Sequence, residues 1–244
     1  MSQQPDPESD IVYNASQNGN IIRFDKRNGN MQGLRPIPGK DEEKYRFDWV
    51  TPIVLSQYSS KKVYLGGNRL FTTRDGGISW QRTDDLTKNI NRDSLEIMGV
   101  LGADIKLSKN DGTSTFGEII SISESPITKK EVWIGTDDGN VQLTRDDGRT
   151  WAEVSQNILG LPENAYVSRV LASRQGRGHA YVTFDRHREG DWSPYVYKTE
   201  DFGKNWKSLS ADLPSGSINV IVEHPENHDL LFIGTEHAVF VSLN

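Results

Sequence analysis

The chain has 244 residues, 34% of them hydrophobic and 25% charged, and a net charge of −6, enough for a sizeable core built as one all-β array. That balance, with no local Lys/Arg cluster, excludes a basic nucleic-acid binder, and no apolar run approaches the ~20 residues that cross a bilayer. Cysteine is absent, which removes disulfides, zinc–thiolate sites and cysteine nucleophiles.

Met1–Asp10 is polar, holds two prolines and lacks the apolar stretch of a signal peptide, so it is expected to be a disordered tail. Val12-Tyr13-Asn14-Ala15 then opens a first unit, about 11–39, expected to lack its first strand. In the second unit, about 48–84, Pro52–Leu55 and Val63-Tyr64-Leu65-Gly66 precede Thr73-Arg74-Asp75-Gly76-Gly77-Ile78-Ser79-Trp80. Residues 85–116 read as an insertion. The third unit, about 117–156, repeats the order with Ile119–Ile122, Val132-Trp133-Ile134-Gly135 and Thr144-Arg145-Asp146-Asp147-Gly148-Arg149-Thr150-Trp151. The fourth, about 166–210, does so with Val167–Leu171, Ala180-Tyr181-Val182-Thr183 and Thr199-Glu200-Asp201-Phe202-Gly203-Lys204-Asn205-Trp206. The fifth, about 217–244, has Ile218–Val222, Leu231-Phe232-Ile233-Gly234 and Val239-Phe240-Val241-Ser242, and Ser242 stands where another copy of the motif would begin.

The repeated pattern is Thr-x-Asp-x-Gly-x-(Ser/Thr/Asn)-Trp, and hairpin physics accounts for it. The Asp (Asp75, Asp146, Asp201) accepts backbone N–H groups across the turn, and the Gly (Gly77, Gly148, Gly203) supplies a positive φ. The Trp (Trp80, Trp151, Trp206) opens the next strand with a large apolar face. These residues are read as structural because they recur, whereas a catalytic group is needed once. Four antiparallel strands per unit define a propeller blade. The expected fold is therefore an all-β propeller of four-stranded antiparallel blades, with about five blades present and the ring incomplete.

In such a blade the first and third turns share one face, which carries the repeated motif. The second turns and the connections between blades share the other, and the long segments fall there: 40–48, 84–116, 156–166 and the loop 185–194. Binding residues favour variable loops on a rigid scaffold, so the functional face is expected opposite the motif. Its candidates are Arg46, Asp48 and Trp49 entering the second blade, Asp137, Asp185 and Glu236 in second turns, and Arg186, His187, Asp191 and Trp192 in the long loop. Carboxylates with aromatics suit a sugar or a peptide. A plain tight turn at Asp137-Asp138-Gly139-Asn140, echoed by repeat ancestry, stays open. The histidines 179, 187, 224, 228 and 237 have no metal spacing, and Asn110-Asp111-Gly112 lacks the spaced ligands of a calcium loop, so neither metal nor cofactor is expected.

The motif, with Asp10-Ile11-Val12-Tyr13, Tyr45-Arg46-Phe47-Asp48-Trp49, Ala180-Tyr181-Val182-Thr183-Phe184-Asp185 and Pro194-Tyr195-Val196-Tyr197-Lys198-Thr199, resembles the BNR/Asp-box propellers. These include sialidases, xyloglucanase-type glycoside hydrolases and sortilin-type ectodomains. It is most similar to large bacterial exported proteins labelled glycosyl hydrolase or sortilin-N-domain. The resemblance implies an extracytoplasmic protein of which this chain is an N-terminal part, with the remaining blades as its neighbours. It also implies a catalytic Asp in a first-blade motif, but the aligned run Ser16-Gln17-Asn18-Gly19 places Gln17 there, and an amide cannot transfer that proton. For the arginine triad and tyrosine nucleophile of sialidases no matching context is found in sequence. The expectation is a non-catalytic module binding a carbohydrate, peptide or protein. The alternatives are a glycoside hydrolase using Asp48, Asp137 and Asp185, and a docking factor for other subunits.

Overall fold

The computed structural model describes residues 2–107, 109, 116–210, 212–227 and 229–242; Asn110-Asp111-Gly112 and His228 lie outside them. Five antiparallel sheets follow one another along the chain. Blade 1 is β1 (Ser2–Pro5), β2 (Ile11–Ala15), β3 (Ile21–Asp25) and β4 (Met31–Gly33). Blade 2 is β5 (Ile53–Leu55), β6 (Val63–Gly66), β7 (Leu70–Thr73) and β8 (Gln81–Arg82). A hairpin of β9 (Glu96–Ile97) and β10 (Val100–Leu101) stands apart. Blade 3 comprises β11 (Ile119–Glu124), β12 (Val132–Thr136), β13 (Val141–Thr144) and β14 (Ala152–Glu153). Blade 4 comprises β15 (Tyr166–Ala172), β16 (Ala180–Arg186), β17 (Asp191–Thr199) and β18 (Lys207–Ser208), and blade 5 has three strands, β19 (Ile218–Glu223), β20 (Leu231–Thr235) and β21 (Val239–Ser242). The chain is an all-β propeller of four-stranded blades.

The first ten residues are not a loose tail. Ser2–Pro5 pairs with Val12–Ala15 and supplies the first strand of blade 1. Its residues are alternately half-buried and exposed, so the strand carries no apolar alternation by which sequence could betray it. The insertion folds a hairpin of its own, and the supposed loop 185–194 is mostly strand. β16 and β17 run on to an Arg186–Asp191 pair, leaving only a tight turn at His187–Gly190.

The second strands of blades 2–4 are buried on both faces, because each is covered by the blade before and the blade after. This is why Val-Tyr-Leu-Gly and Val-Trp-Ile-Gly read as unbroken apolar runs rather than as alternating strands. The core accordingly divides into inter-blade seams: Tyr13, Ile21 and Ile53 between blades 1 and 2, Tyr64, Ile119 and Ile134 between 2 and 3, Trp133, Val167 and Val182 between 3 and 4, and Tyr181, Ile218 and Ile233 between 4 and 5.

The three repeated turns are near-copies. Thr73 Oγ1 donates to Asp75 at 2.7 Å and accepts the Gly77 N–H at 2.8 Å, while Asp75 accepts the Ser79 N–H at 3.0 Å and its hydroxyl at 2.5 Å. Asp146 accepts the N–H and hydroxyl of Thr150 at 2.9 and 2.7 Å, and Asp201 the two nitrogens of Asn205 at 2.9 and 2.7 Å. The glycines take φ of 98°, 88° and 74°. The residue before each, Gly76, Asp147 or Phe202, is also left-handed, at 75°, 68° and 64°. That N–H reaches the preceding turn of the same blade, Gly76 to Lys61 O at 2.9 Å, Asp147 to Lys130 O at 3.0 Å and Phe202 to Gly178 O at 3.0 Å, which fixes first and third turns on one face.

Thr150 holds the Asp146 carboxyl down to about 2 from an ordinary 3.8, through its N–H and then its hydroxyl. A folded value below the unfolded one contributes stability above 3.8 that is lost as pH falls through about 2. Asp146→Asn is therefore expected to lower the thermal midpoint at neutral pH, where the carboxylate contributes, to leave it little changed below about pH 2, and so to flatten its dependence on pH within that window. An unaltered acid limb would contradict the assignment.

Candidate functional site

On the face opposite the repeated turns, a cavity of about 330 Å³ opens between blades 2, 3 and 4. Its walls come from the connection into blade 2 (Asp48, Trp49, Val50), the inserted hairpin with its preceding turn (Arg92, Leu95, Glu96, Ile97) and Phe116. The others come from the second turn of blade 3 (Asp137), the entry to blade 4 (Glu163, Asn164, Tyr166) and the second turn of blade 4 (Asp185, Arg186, Arg188, Glu189). Five of the sequence candidates thus meet in one cleft: Asp48, Trp49, Asp137, Asp185 and Arg186.

The other candidates lie outside its walls. Arg46 ties the insertion down, donating to Gly117 O at 3.2 Å and to Asp85 and Thr87 at 2.9 and 3.1 Å. His187 and Trp192 form a rim, their rings 5.9 Å apart at 36°, with Trp192 41% exposed. Asp191 accepts Tyr195 OH at 2.7 Å and lies 3.6 Å from Arg186. Glu236 is exposed on blade 5, 3.9 Å from the ring of His237. Gln17 sits in the second turn of blade 1, on the cleft's face but not among its lining residues.

The cleft carboxylates are held by backbone N–H groups, Asp48 and Asp185 within their own turns and Asp137 by the segment entering blade 3. Asp137 accepts Gly117 N–H at 3.1 Å and Glu118 N–H at 2.6 Å. Burial pushes its carboxyl well up, and the charges of Glu118 and Asp138 push the same way. Asp185 accepts the His187 N–H at 2.9 Å and faces the ring Nδ1 at 2.7 Å. A carboxylate accepts only, so Nδ1 is the donor in this contact. Asp48 accepts the Val50 N–H at 2.6 Å.

Residues the sequence did not single out complete the site. Tyr166, which reads there as the start of a strand, is half-buried, and desolvation raises its phenol; the Arg188 guanidinium lies 5.1 Å over its ring. Arg92 lies 4.5 Å over Phe116. Asp138, read only as part of a tight turn, accepts the Lys88 and Asn89 N–H groups at 2.8 and 3.0 Å and moors the insertion, while Arg188 O accepts the Met98 N–H at 2.7 Å and fixes the hairpin over the cleft. Only the fold could bring these together, since they come from four separate segments. Three arginines and a tyrosine do meet here, contrary to the sequence reading. Arg92 and Arg188 stack on aromatic rings, however, and Arg186 lies 3.9 Å from Glu189. Six carboxylates face these three guanidiniums, a balance that disfavours an anionic sugar.

No family model matches the chain. It is 27% identical over 211 residues to the oligoxyloglucan-reducing end-specific xyloglucanase of Emericella nidulans, covering 83% of this chain and 22% of that protein. It is 21% identical over 210 residues to the probable enzyme of the same name from Neosartorya fischeri, with the same coverage of 83% and 22%. The chain thus spans about a fifth of the length of these curated relatives. Among solved structures it is similar to an ancestral GH74 enzyme (TM-score 0.60, 15% identity, 94% of this chain and 26% of that one). It is also similar to the GH74 xyloglucanase from Xanthomonas campestris (0.60, 15%, 98% and 36%) and to YCF48 bound to D1 peptide (0.55, 13%, 96% and 63%). At such identities the shared property is the propeller fold.

Proposed function

We propose that this chain is a carbohydrate-binding propeller module of the Asp-box kind whose cleft takes a neutral β-glucan-type oligosaccharide. The observation that carries this is a cleft combining Trp49, 44% exposed, with a ring of carboxylates and few free cations. A sugar ring presents an apolar face to stack on an indole and hydroxyls to donate to carboxylates, and the volume is in the range of a small-ligand site. The names of the curated relatives support the substrate class, and a polysaccharide ligand supports an extracytoplasmic reading. The exposed row Val222, Phe232 and Val241 on blade 5 is read as the seat of a further blade of the same polypeptide.

Titration calorimetry with xyloglucan oligosaccharides tests the reading. Trp49→Ala is expected to weaken binding at least tenfold, about 1.4 kcal/mol, with the fold intact. Equal affinity in wild type and variant would sink the assigned cleft.

A second reading, glycoside hydrolysis, is favoured by one feature: the raised carboxyl of Asp137 is suited to a general acid. Against it, Asp48, Asp137 and Asp185 all accept backbone N–H groups. The binding reading expects no release of reducing sugar from xyloglucan; turnover abolished by Asp137→Asn would replace it with the hydrolase.

A further inference from the structure

We propose that the face carrying the repeated turns is a second binding surface, for a carboxylate-bearing polysaccharide of the polyuronate type. Although the chain is acidic as a whole, with a net charge of −6, its charges are sorted between the two faces. On the first and third turns of blades 2–4 the side chains of Lys61, Arg74, Lys130, Arg145, Arg149 and Arg177 are exposed. The acids of the same turns are folded inward. Asp75, Asp146 and Asp201 bind their own turns, and Glu131 is buried, accepting the Trp133 indole N–H at 3.1 Å. Among the described residues of these turns Glu200 is the one exposed acid, and it pairs with Lys198 at 2.7 Å.

A groove of about 500 Å³ crosses this face between blades 2 and 3, with Arg74, Arg82, Lys130 and Arg149 in its walls. The protein's own carboxylates show what fits there. Asp147 accepts Lys62 Nζ and Arg74 Nη2 at 2.6 Å each, and Glu42 accepts Arg82. Lys130 and Arg149 make no ion pair among the described residues; Arg149 donates Nε to Asp146 O at 3.4 Å, and its remaining N–H groups and the Lys130 ammonium face the same groove, where an external carboxylate can meet them. On blade 4, Arg145 lies 3.9 Å over the ring of Phe202 and Arg177 lies 6.0 Å from it. Stacking orders a guanidinium while leaving its N–H edge free, and that edge matches a carboxylate. A polyuronate offers such groups at regular intervals along a chain narrow enough for the groove. A flat bilayer cannot enter a groove, and nucleic-acid bases would find the rings of these turns already packed, Phe202 beneath Arg145, Trp206 edge-on to Trp133 and Trp80 against the core between blades 1 and 2.

The full chain is titrated with polygalacturonate, with neutral xyloglucan oligosaccharide, with phosphatidylglycerol vesicles and with single-stranded DNA. Polygalacturonate is expected to bind, more weakly as salt rises. The pair Lys130→Glu/Arg149→Glu should cut its affinity at least tenfold, and so, independently, should Arg145→Glu/Arg177→Glu. Both pairs should stay folded and leave the neutral-sugar titration unchanged, and Trp49→Ala should leave polygalacturonate binding intact, which separates this surface from the cleft. Absence of polygalacturonate binding, equal affinity in both charge-reversed pairs, or equally tight binding of vesicles or DNA would each overturn the proposal.

Discussion

Gly135→Ala is expected to destabilise the protein by about 3 kcal/mol, at the upper end for overpacking, lowering the thermal midpoint by roughly 6–12 °C for a chain of this size. A methyl group on Gly135 would stand 2.2 Å from Val167 Cγ1, 2.8 Å from Val167 Cβ and 3.2 Å from Val170 Cγ1. Both valines are fully buried in the seam between blades 3 and 4, so neither can rotate away and the two sheets must part. Gly234 holds the equivalent register position in blade 5, paired with Val220 and Val239 as Gly135 is with Ser121 and Val141. Its added methyl would meet only Val220 Cγ1, at 2.6 Å, and Val220 is half-buried with room to turn. Gly234→Ala should therefore cost under about 1 kcal/mol. Equal losses in the two variants would show that close approach of the sheets is not what selects glycine at this position.

Glu124→Ala should produce a loss of similar or greater size, roughly 3–5 kcal/mol. The buried carboxylate of Glu124, at the end of β11, accepts Ser56 Oγ at 2.8 Å, the Gln57 N–H at 3.0 Å and Tyr64 OH at 2.9 Å. Lys62 Nζ lies 3.5 Å away. One side chain of blade 3 thus satisfies three donors of blade 2, and removing it leaves the buried hydroxyls of Ser56 and Tyr64 without this acceptor. Burial, with the neighbouring Glu124 charge, also drives the Tyr64 phenol far above its ordinary value, so Tyr64 stays a donor throughout the working pH range. Glu124→Gln retains an acceptor and should recover part of the loss. If denaturant melts place Gln and Ala together, the carboxylate charge matters more than the hydrogen bonds.

How much of this was legible in the sequence depends on whether the signal was local. The turns at 73–80, 144–151 and 199–206 announced themselves because each closes its own hydrogen bonds within eight residues. From their spacing the blades and the sidedness of the loops followed. Ser2–Pro5 was missed because that strand's partner, not its composition, makes it a strand. In the cleft, Asp48, Asp137 and Asp185 could be named from blade position, but Tyr166, Arg92 and Phe116 could not, since their proximity is created by the insertion folding back. The basic face was overlooked for the same reason. Lys130, Arg149 and Arg177 are scattered in sequence and form a patch only when three blades align.

The Glu124 contact recurs, but not everywhere. Glu223 of blade 5 reaches Ser173 Oγ and the Arg174 N–H of blade 4, both at 2.7 Å, whereas the register equivalent between blades 3 and 4 is Ala172. That seam is joined instead by the largest apolar cluster and by Ser121 and Ser123, which accept the Val170 and Ala172 N–H groups at 3.0 and 2.9 Å. The propeller is therefore not a uniform array in its resistance to opening. Its central pair is joined by the largest apolar cluster and by serine–backbone contacts, while the flanking pairs add carboxylate latches at Glu124 and Glu223 to smaller apolar clusters, so local unfolding should begin at the flanks and leave blades 3 and 4 as the slowest-exchanging unit.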